Sequence, residues 1–116
     1  MLRKKKIVTK PWGKYEDVYQ GPEYKVKVIT VNPGHRLSDQ KHTWRDEHWF
    51  VVDGEAVLTT SKQPAKLYPG MSVDIRRGEW HRVENKRQFP LVFIEVQVGD
   101  CFEEDIKRRE DDYGRV

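Results

Sequence analysis

The 116-residue chain is predicted to be all-β, a sandwich or barrel of short antiparallel strands. Three observations predict it. Apolar and aromatic runs recur about every eight to twelve residues, with Gly, Pro, Asp and Asn between them. No segment before the tail carries a helical apolar period. Four Trp, five Tyr and four Phe supply bulky core material within a composition that is 36% apolar and 35% charged.

Residues 15–19 open the strand pattern and end at Gly21-Pro22. Residues 24–31, Tyr-Lys-Val-Lys-Val-Ile-Thr-Val, are β-branched and partly alternating, and Asn32-Pro33-Gly34 turns the chain after them. Residues 36–42 are expected as the next strand. Segments 48–52 and 55–60 flank Asp53-Gly54, whose composition predicts a type I′ hairpin with positive φ at both central residues. Residues 66–68 lead into Pro69-Gly70. Strands follow at 71–75 and 80–84, joined through Arg77-Gly78. Residues 91–98 form the longest apolar run and read as a buried strand. A short helix or an irregular tail is expected near 103–110.

One domain is expected over 11–116, preceded by a basic, solvated arm at 1–10 with Arg3, Lys4, Lys5, Lys6 and Lys10. The lean core favours a homodimer that shares apolar surface. The net charge of +3 is uneven, and the stretch from Asp100 is acidic on balance. No nucleic-acid motif accompanies the basic arm, so no nucleic-acid partner is expected. Cys101 is the only cysteine, which excludes an intrachain disulfide. Neither a secretory apolar segment nor a membrane-length apolar run occurs, so a cytoplasmic protein without a membrane partner is expected.

The chemistry-bearing residues are Gln40, His42, Glu47 and His81. Gln40 and His42 lie two apart and share a strand face. On the next strand, an inward Glu47 puts Trp49 and Val51 inward and His48 outward, so His48 is excluded as a ligand. Two imidazoles, a carboxylate and an amide on one wall suit a divalent metal ion. Zn leads, with Mn, Co, Fe and Ni as alternatives.

The spacing of Gly34, Gln40, His42, Glu47 and Gly54, followed by Pro69, Gly70, Gly78, His81 and Asn85, resembles the two cupin motifs, with Gln40 in the first His slot and Arg76 in place of an inner Pro. The resemblance implies a jelly-roll β-barrel. The string Leu37, Ser38, Gln40, His42, Arg45, Glu47, His48, Trp49 is similar to the cupin domain of type II mannose-6-phosphate isomerases, where Gln at that slot is usual. Pro11-Trp12-Gly13, residues 94–99 and residues 110–115 extend the likeness along nearly the whole chain from residue 11. Asp39 and Trp44 depart from the family pattern, and the segment between Gly99 and Arg108 is one residue short.

The resemblance implies metal-dependent interconversion of mannose 6-phosphate and fructose 6-phosphate through an enediol. It implies no sugar-nucleotide synthesis, since the chain contains no Gly-rich nucleotide loop. Glu47, Lys27 and Glu95 are candidates for the proton-transfer base. Arg36, inward by parity with Gln40 and His42, and Arg45 are candidates for holding the phosphate, followed by Lys25 and Arg108. The alternatives are a non-catalytic module that binds a sugar or sugar phosphate, and an iron-dependent oxygenase.

Overall fold

A computed structural model describes residues 6–60, 64–101 and 104–116. Among these residues there is no helix. Eleven strands form two antiparallel sheets. They are β1 (Lys6–Lys10), β2 (Gly13–Gln20), β3 (Tyr24–Val31), β4 (Asp39–Lys41), β5 (Arg45–Asp53), β6 (Ala56–Thr60), β7 (Pro64–Leu67), β8 (Ser72–Ile75), β9 (His81–Glu84), β10 (Leu91–Gly99) and β11 (Lys107–Glu110). The six-stranded sheet has the order β1-β2-β3-β10-β5-β8, and the five-stranded sheet β11-β4-β9-β6-β7.

The strand pattern explains the core. In β3, β5 and β10 alternate side chains are buried, as a half-solvated antiparallel sheet requires. At one end the inward residues are apolar: Ile29, Val31, Trp49, Val51, Leu91 and Phe93 pack with Leu58, Leu67, Ile75 and Val83 from the facing elements. Trp49 and Phe93 stack with centroids 4.6 Å apart. At the other end the same faces carry Lys25, Lys27, Arg45, Glu47, Glu95 and Gln97, all buried. A barrel whose interior changes from apolar to charged along its axis places its chemistry at the charged end.

Four expectations need correction. Asp53-Gly54 is not a type I′ hairpin, because among the described residues only glycines have positive φ and β5 and β6 lie in different sheets. Gly54 carries the chain between sheets at φ 84, where a Cβ would come within 2.6 Å of the Pro90 carbonyl oxygen. Of the arm expected at 1–10, Lys6 to Lys10 are not free: they are β1, paired with β2 from Lys6↔Asp17 to Lys10↔Gly13, and residues 1–5 lie outside the described residues. No helix occurs over the described residues 104–110. Lys107–Glu110 is an edge strand on β4, and the rest of that expectation falls partly on residue 103, outside the described residues.

The fourth correction concerns 36–42. Only Asp39–Lys41 is strand, and Arg36 makes an isolated bridge to Glu84. Leu37 is buried with the core, so parity is reset before Gln40. Arg36 therefore turns away from the cavity.

Candidate metal centre

Cross-strand register assembles the site. In the larger sheet, Glu47 faces Gln97, which faces Lys25; one row on, Trp49 faces Glu95, which faces Lys27. In the smaller sheet, Arg108 pairs with Gln40, Gln40 with His81 and His81 with Thr60. His42 follows the end of β4. Between the sheets lies a cavity of about 180 Å³ lined by Gln40, His42, Arg45, Lys27 and Glu95, with Trp12, Tyr15, Leu37 and Ile106 as apolar walls. Ile29, Lys10, Arg108 and Arg115 complete the lining.

His42, Glu47 and His81 bring one ligand atom each within 4.8 Å of one another, and all three are buried. His42 Nε2 is 3.2 Å from Glu47 Oε2, and His81 Nε2 is 3.9 Å from Glu47 Oε1. Donors bound about 2.1 Å from one ion stand roughly 3–3.5 Å apart, so little movement is needed to share one. Both rings turn the correct nitrogen inward. His42 Nδ1 donates to the Asp105 carbonyl at 2.6 Å, and His81 Nδ1 donates to the Glu79 carbonyl at 2.9 Å. Each Nε2 is thereby left with its lone pair. His42 Nε2 accepts from the Arg45 guanidinium at 3.2 Å, whereas His81 Nε2 is buried without a partner. A buried imidazole lone pair aimed at a carboxylate is costly unless a cation shares it. This donor set fits a divalent metal.

Glu47 is held from both sides. Trp49 Nε1 donates to Oε1 at 3.0 Å and Arg45 Nε to Oε2 at 2.9 Å. Burial opposes its charge, but the His42 and His81 rings and the Arg45 guanidinium outweigh it and hold its pKa at about 2. Burial pushes the His42 pKa down. Where the rings are neutral, as metal ligands must be, Arg45 is the charge of these three that remains beside Glu47. Gln40 Oε1 accepts from the Ser38 hydroxyl at 2.9 Å, which orients the amide on the cavity wall.

Glu95 is the opposite case. Burial first, then the Glu47 charge, pushes its pKa up to about 8, while Arg45 and Lys27 pull against them. Gln97 Nε2 donates to Glu95 Oε2 at 2.7 Å, and Lys27 Nζ lies 3.9 Å from the Tyr15 ring centroid. Because the folded pKa of Glu95 lies above the ordinary 4.5, its contribution to stability is full below pH 4.5 and is lost as pH rises through about 8. Glu95→Gln removes that loss. In the metal-free protein, the melting temperature of the variant relative to wild type is expected to rise from about pH 5 to about pH 8. A pH-independent difference would show that Glu95 ionises as it does in the unfolded chain.

The structure brings Gln40, His42, Arg45, Lys27 and Glu95 to the cavity wall, sets Glu47 and His81 beside His42, and leaves Arg36 out. Arg36 forms a two-pronged pair with Asp112, at 2.7 and 2.9 Å, on the outer side of the smaller sheet. His48 is exposed and bonds Asp74. His35 bonds the Tyr113 hydroxyl. Sequence reasoning ranked Arg108 low and passed over Asp105. Their positions depend on a tail that crosses the site more than sixty residues after the first ligand strand, and no local pattern signals that contact.

Residues 1–112 match the family described as mannose-6-phosphate isomerase, C-terminal. The chain is 46% identical over 110 residues to mannose-1-phosphate guanylyltransferase ManC of Salmonella typhimurium, covering 94% of this chain and 23% of that protein. It is equally identical, over the same shares, to alginate biosynthesis protein AlgA of Pseudomonas aeruginosa. The chain thus spans under a quarter of the length of these relatives. A solved double-stranded β-helix protein from Klebsiella pneumoniae superposes with a TM-score of 0.72 at 21% identity, covering 83% of each chain, and identifies the fold as the cupin barrel. No helix among the described residues is long and apolar enough to cross a membrane. By the extent of these matches, the chain belongs to the mannose-6-phosphate isomerase C-terminal family.

Proposed function

We propose that this chain is a metal-dependent aldose–ketose isomerase that interconverts mannose 6-phosphate and fructose 6-phosphate. One observation carries the reading: a buried carboxyl with a pKa of about 8 lines the same cavity as His42 and several cations, and stands beside Glu47 of the His42–Glu47–His81 ligand set, whose charge helps raise it. Gln40, His42, Glu47 and His81 would hold the metal. When bound, a divalent cation supplies positive charge that stabilises the negative charge developing on the substrate oxygens.

The proton transfer falls to Glu95. Its ionised form takes the proton from C2 of the aldose and the resulting carboxylic acid returns it at C1 of the enediol, while the hydroxyl proton passes from O2 to O1, giving the ketose. A pKa near the working pH keeps both forms accessible. Lys27, beside it, favours the ionised form. Both oxygens of Glu47 already accept hydrogen bonds, which suits a ligand better than a base. Trp12, Leu37 and Ile106 exclude water from the transfer path.

For the phosphate, Arg108 is favoured over Arg36. It lines the cavity, and its buried Nε has no partner. Arg115 is already tied to Asp111 by paired bonds of 2.9 Å. Arg45 is committed to Glu47 and His42, and contributes field more than contact.

The test is an isomerase assay on the purified chain with chelator, then with added Zn, Mn or Co. Metal-dependent turnover is expected. Arg108→Ala should raise KM for the sugar phosphate by about 10–100-fold, as expected for losing a charged hydrogen bond, with little effect on free mannose binding. Equal effects on both sugars would remove Arg108 from the phosphate site. Sugar-phosphate binding without turnover under any metal would replace the isomerase by a non-catalytic binding module.

A further inference from the structure

The tail after Asp100 is not a loose end. Its residues from Asp105 to Tyr113 are fastened across the smaller sheet at five places. The Asp105 carboxylate accepts from the Thr43 and Trp44 amides at 2.9 and 2.8 Å. Arg109 pairs with Asp39 at 2.7 Å and lies over the Trp80 ring, 4.4 Å from its centroid. Glu110 meets Arg82 at 3.3 Å. Asp112 takes both prongs of Arg36, and the Tyr113 hydroxyl reaches His35 at 2.7 Å.

Two consequences join here. The fastened segment supplies Ile106 and Arg108 to the cavity wall. It also supplies the Asp105 carbonyl, which takes the Nδ1 proton of His42 at 2.6 Å. Asp105 thus grips the turn just after His42 with its side chain while its main chain orients the His42 ring. A strap that is peeled away leaves that ring free to rotate and its tautomer unset.

We propose that the segment Asp105–Tyr113 is an electrostatic latch for the metal centre, with Asp105 as the positioning residue that sets His42 for metal binding. The inference rests on the metal reading of His42, Glu47 and His81. Latching and metal binding are then linked in both directions: the closed strap raises metal affinity, and bound metal holds the strap closed. This gives Arg36 a role outside the cavity, as the far anchor of the latch.

The test is a titration of the full chain with Co²⁺ alone, followed by its visible absorption, with no substrate present. Asp105→Ala should weaken Co²⁺ binding about 10–100-fold, as losing an outer partner of a ligand does. Asp105→Asn, which keeps one acceptor oxygen, should recover part of it. Arg36→Asp should weaken binding, and adding Asp112→Arg should restore it by reversing the pair. Saturating Co²⁺ should slow trypsin cleavage after Lys107, Arg108 and Arg109 in wild type, less so in Asp105→Ala. Wild-type affinity in Asp105→Ala, or no recovery in the charge-reversed pair, overturns the latch while leaving the metal site intact. No Co²⁺ binding by wild type overturns both.

Discussion

Alanine at both His42 and His81 should leave the purified protein without bound metal and without metal-dependent turnover. The two rings carry the inward nitrogens of the ligand set, and removing both leaves Glu47 and a neutral amide. Loss of a mere outer partner costs a metal site about 10–100-fold in affinity, so loss of two ligands should exceed about 10⁴-fold. The variant should still fold. His81 meets the edge of Trp49 with ring centroids 5.7 Å apart, but the packing of Trp49 on Phe93, with Val51 and Leu91 in the same core, does not depend on either imidazole. The measurement is metal content per chain after dialysis against Zn or Co, with melting as the folding control. A folded double variant that keeps one metal per chain would sink the ligand assignment.

Each single variant separates the two rings. His42 Nε2 is contacted by Arg45, so His42→Ala takes that acceptor, 3.2 Å away, from a guanidinium that stays bonded to Glu47. His81 Nε2 is unpartnered, so His81→Ala removes a buried orphan as well as a ligand. The metal-free stability cost of His81→Ala should therefore be the smaller of the two.

Most strands are legible in the sequence because their side-chain alternation is strong. Residues 24–31 are β3 as read, and the apolar run at 91–98 is β10 with one added residue. Parity within β5 places Glu47 and Trp49 inside and His48 outside, as burial alternation shows. Parity failed for Arg36 because it assumed an unbroken strand through Leu37 and Ser38. The edge strands were missed for a different reason. Lys107–Glu110 is charged throughout, as solvent-facing edges tend to be, and Lys6–Lys10 is a short Ile-Val-Thr run between lysines; only their partners reveal them. Asp53-Gly54 looks like a local hairpin, yet the destination of β6 is decided by which sheet it completes. The meeting of His42, Glu47 and His81 was readable from spacing; the place of Asp105 was not, since its contact to His42 is made entirely by tertiary placement.

Glu95→Gln should keep the metal and lose the chemistry. Glutamine is nearly isosteric with a protonated carboxyl, and at neutral pH the raised pKa of Glu95 leaves that side chain largely protonated in the metal-free chain. The Gln97 bond to Oε2 can be kept by the amide oxygen, so the cavity should hold its shape. What disappears is the capacity to accept and return a proton, worth about 10²–10⁴-fold in rate for a positioned acid–base group. kcat should fall by that factor while KM and Co²⁺ affinity change little, because neither the ligand atoms nor Arg108 are altered. Exchange of the C2 proton of mannose 6-phosphate with deuterated solvent should fall in parallel, which ties the loss to proton transfer and not to product release. If kcat survives within about threefold, Glu95 is a packing carboxyl. Lys27, its cross-strand neighbour on β3, then becomes the group to replace next.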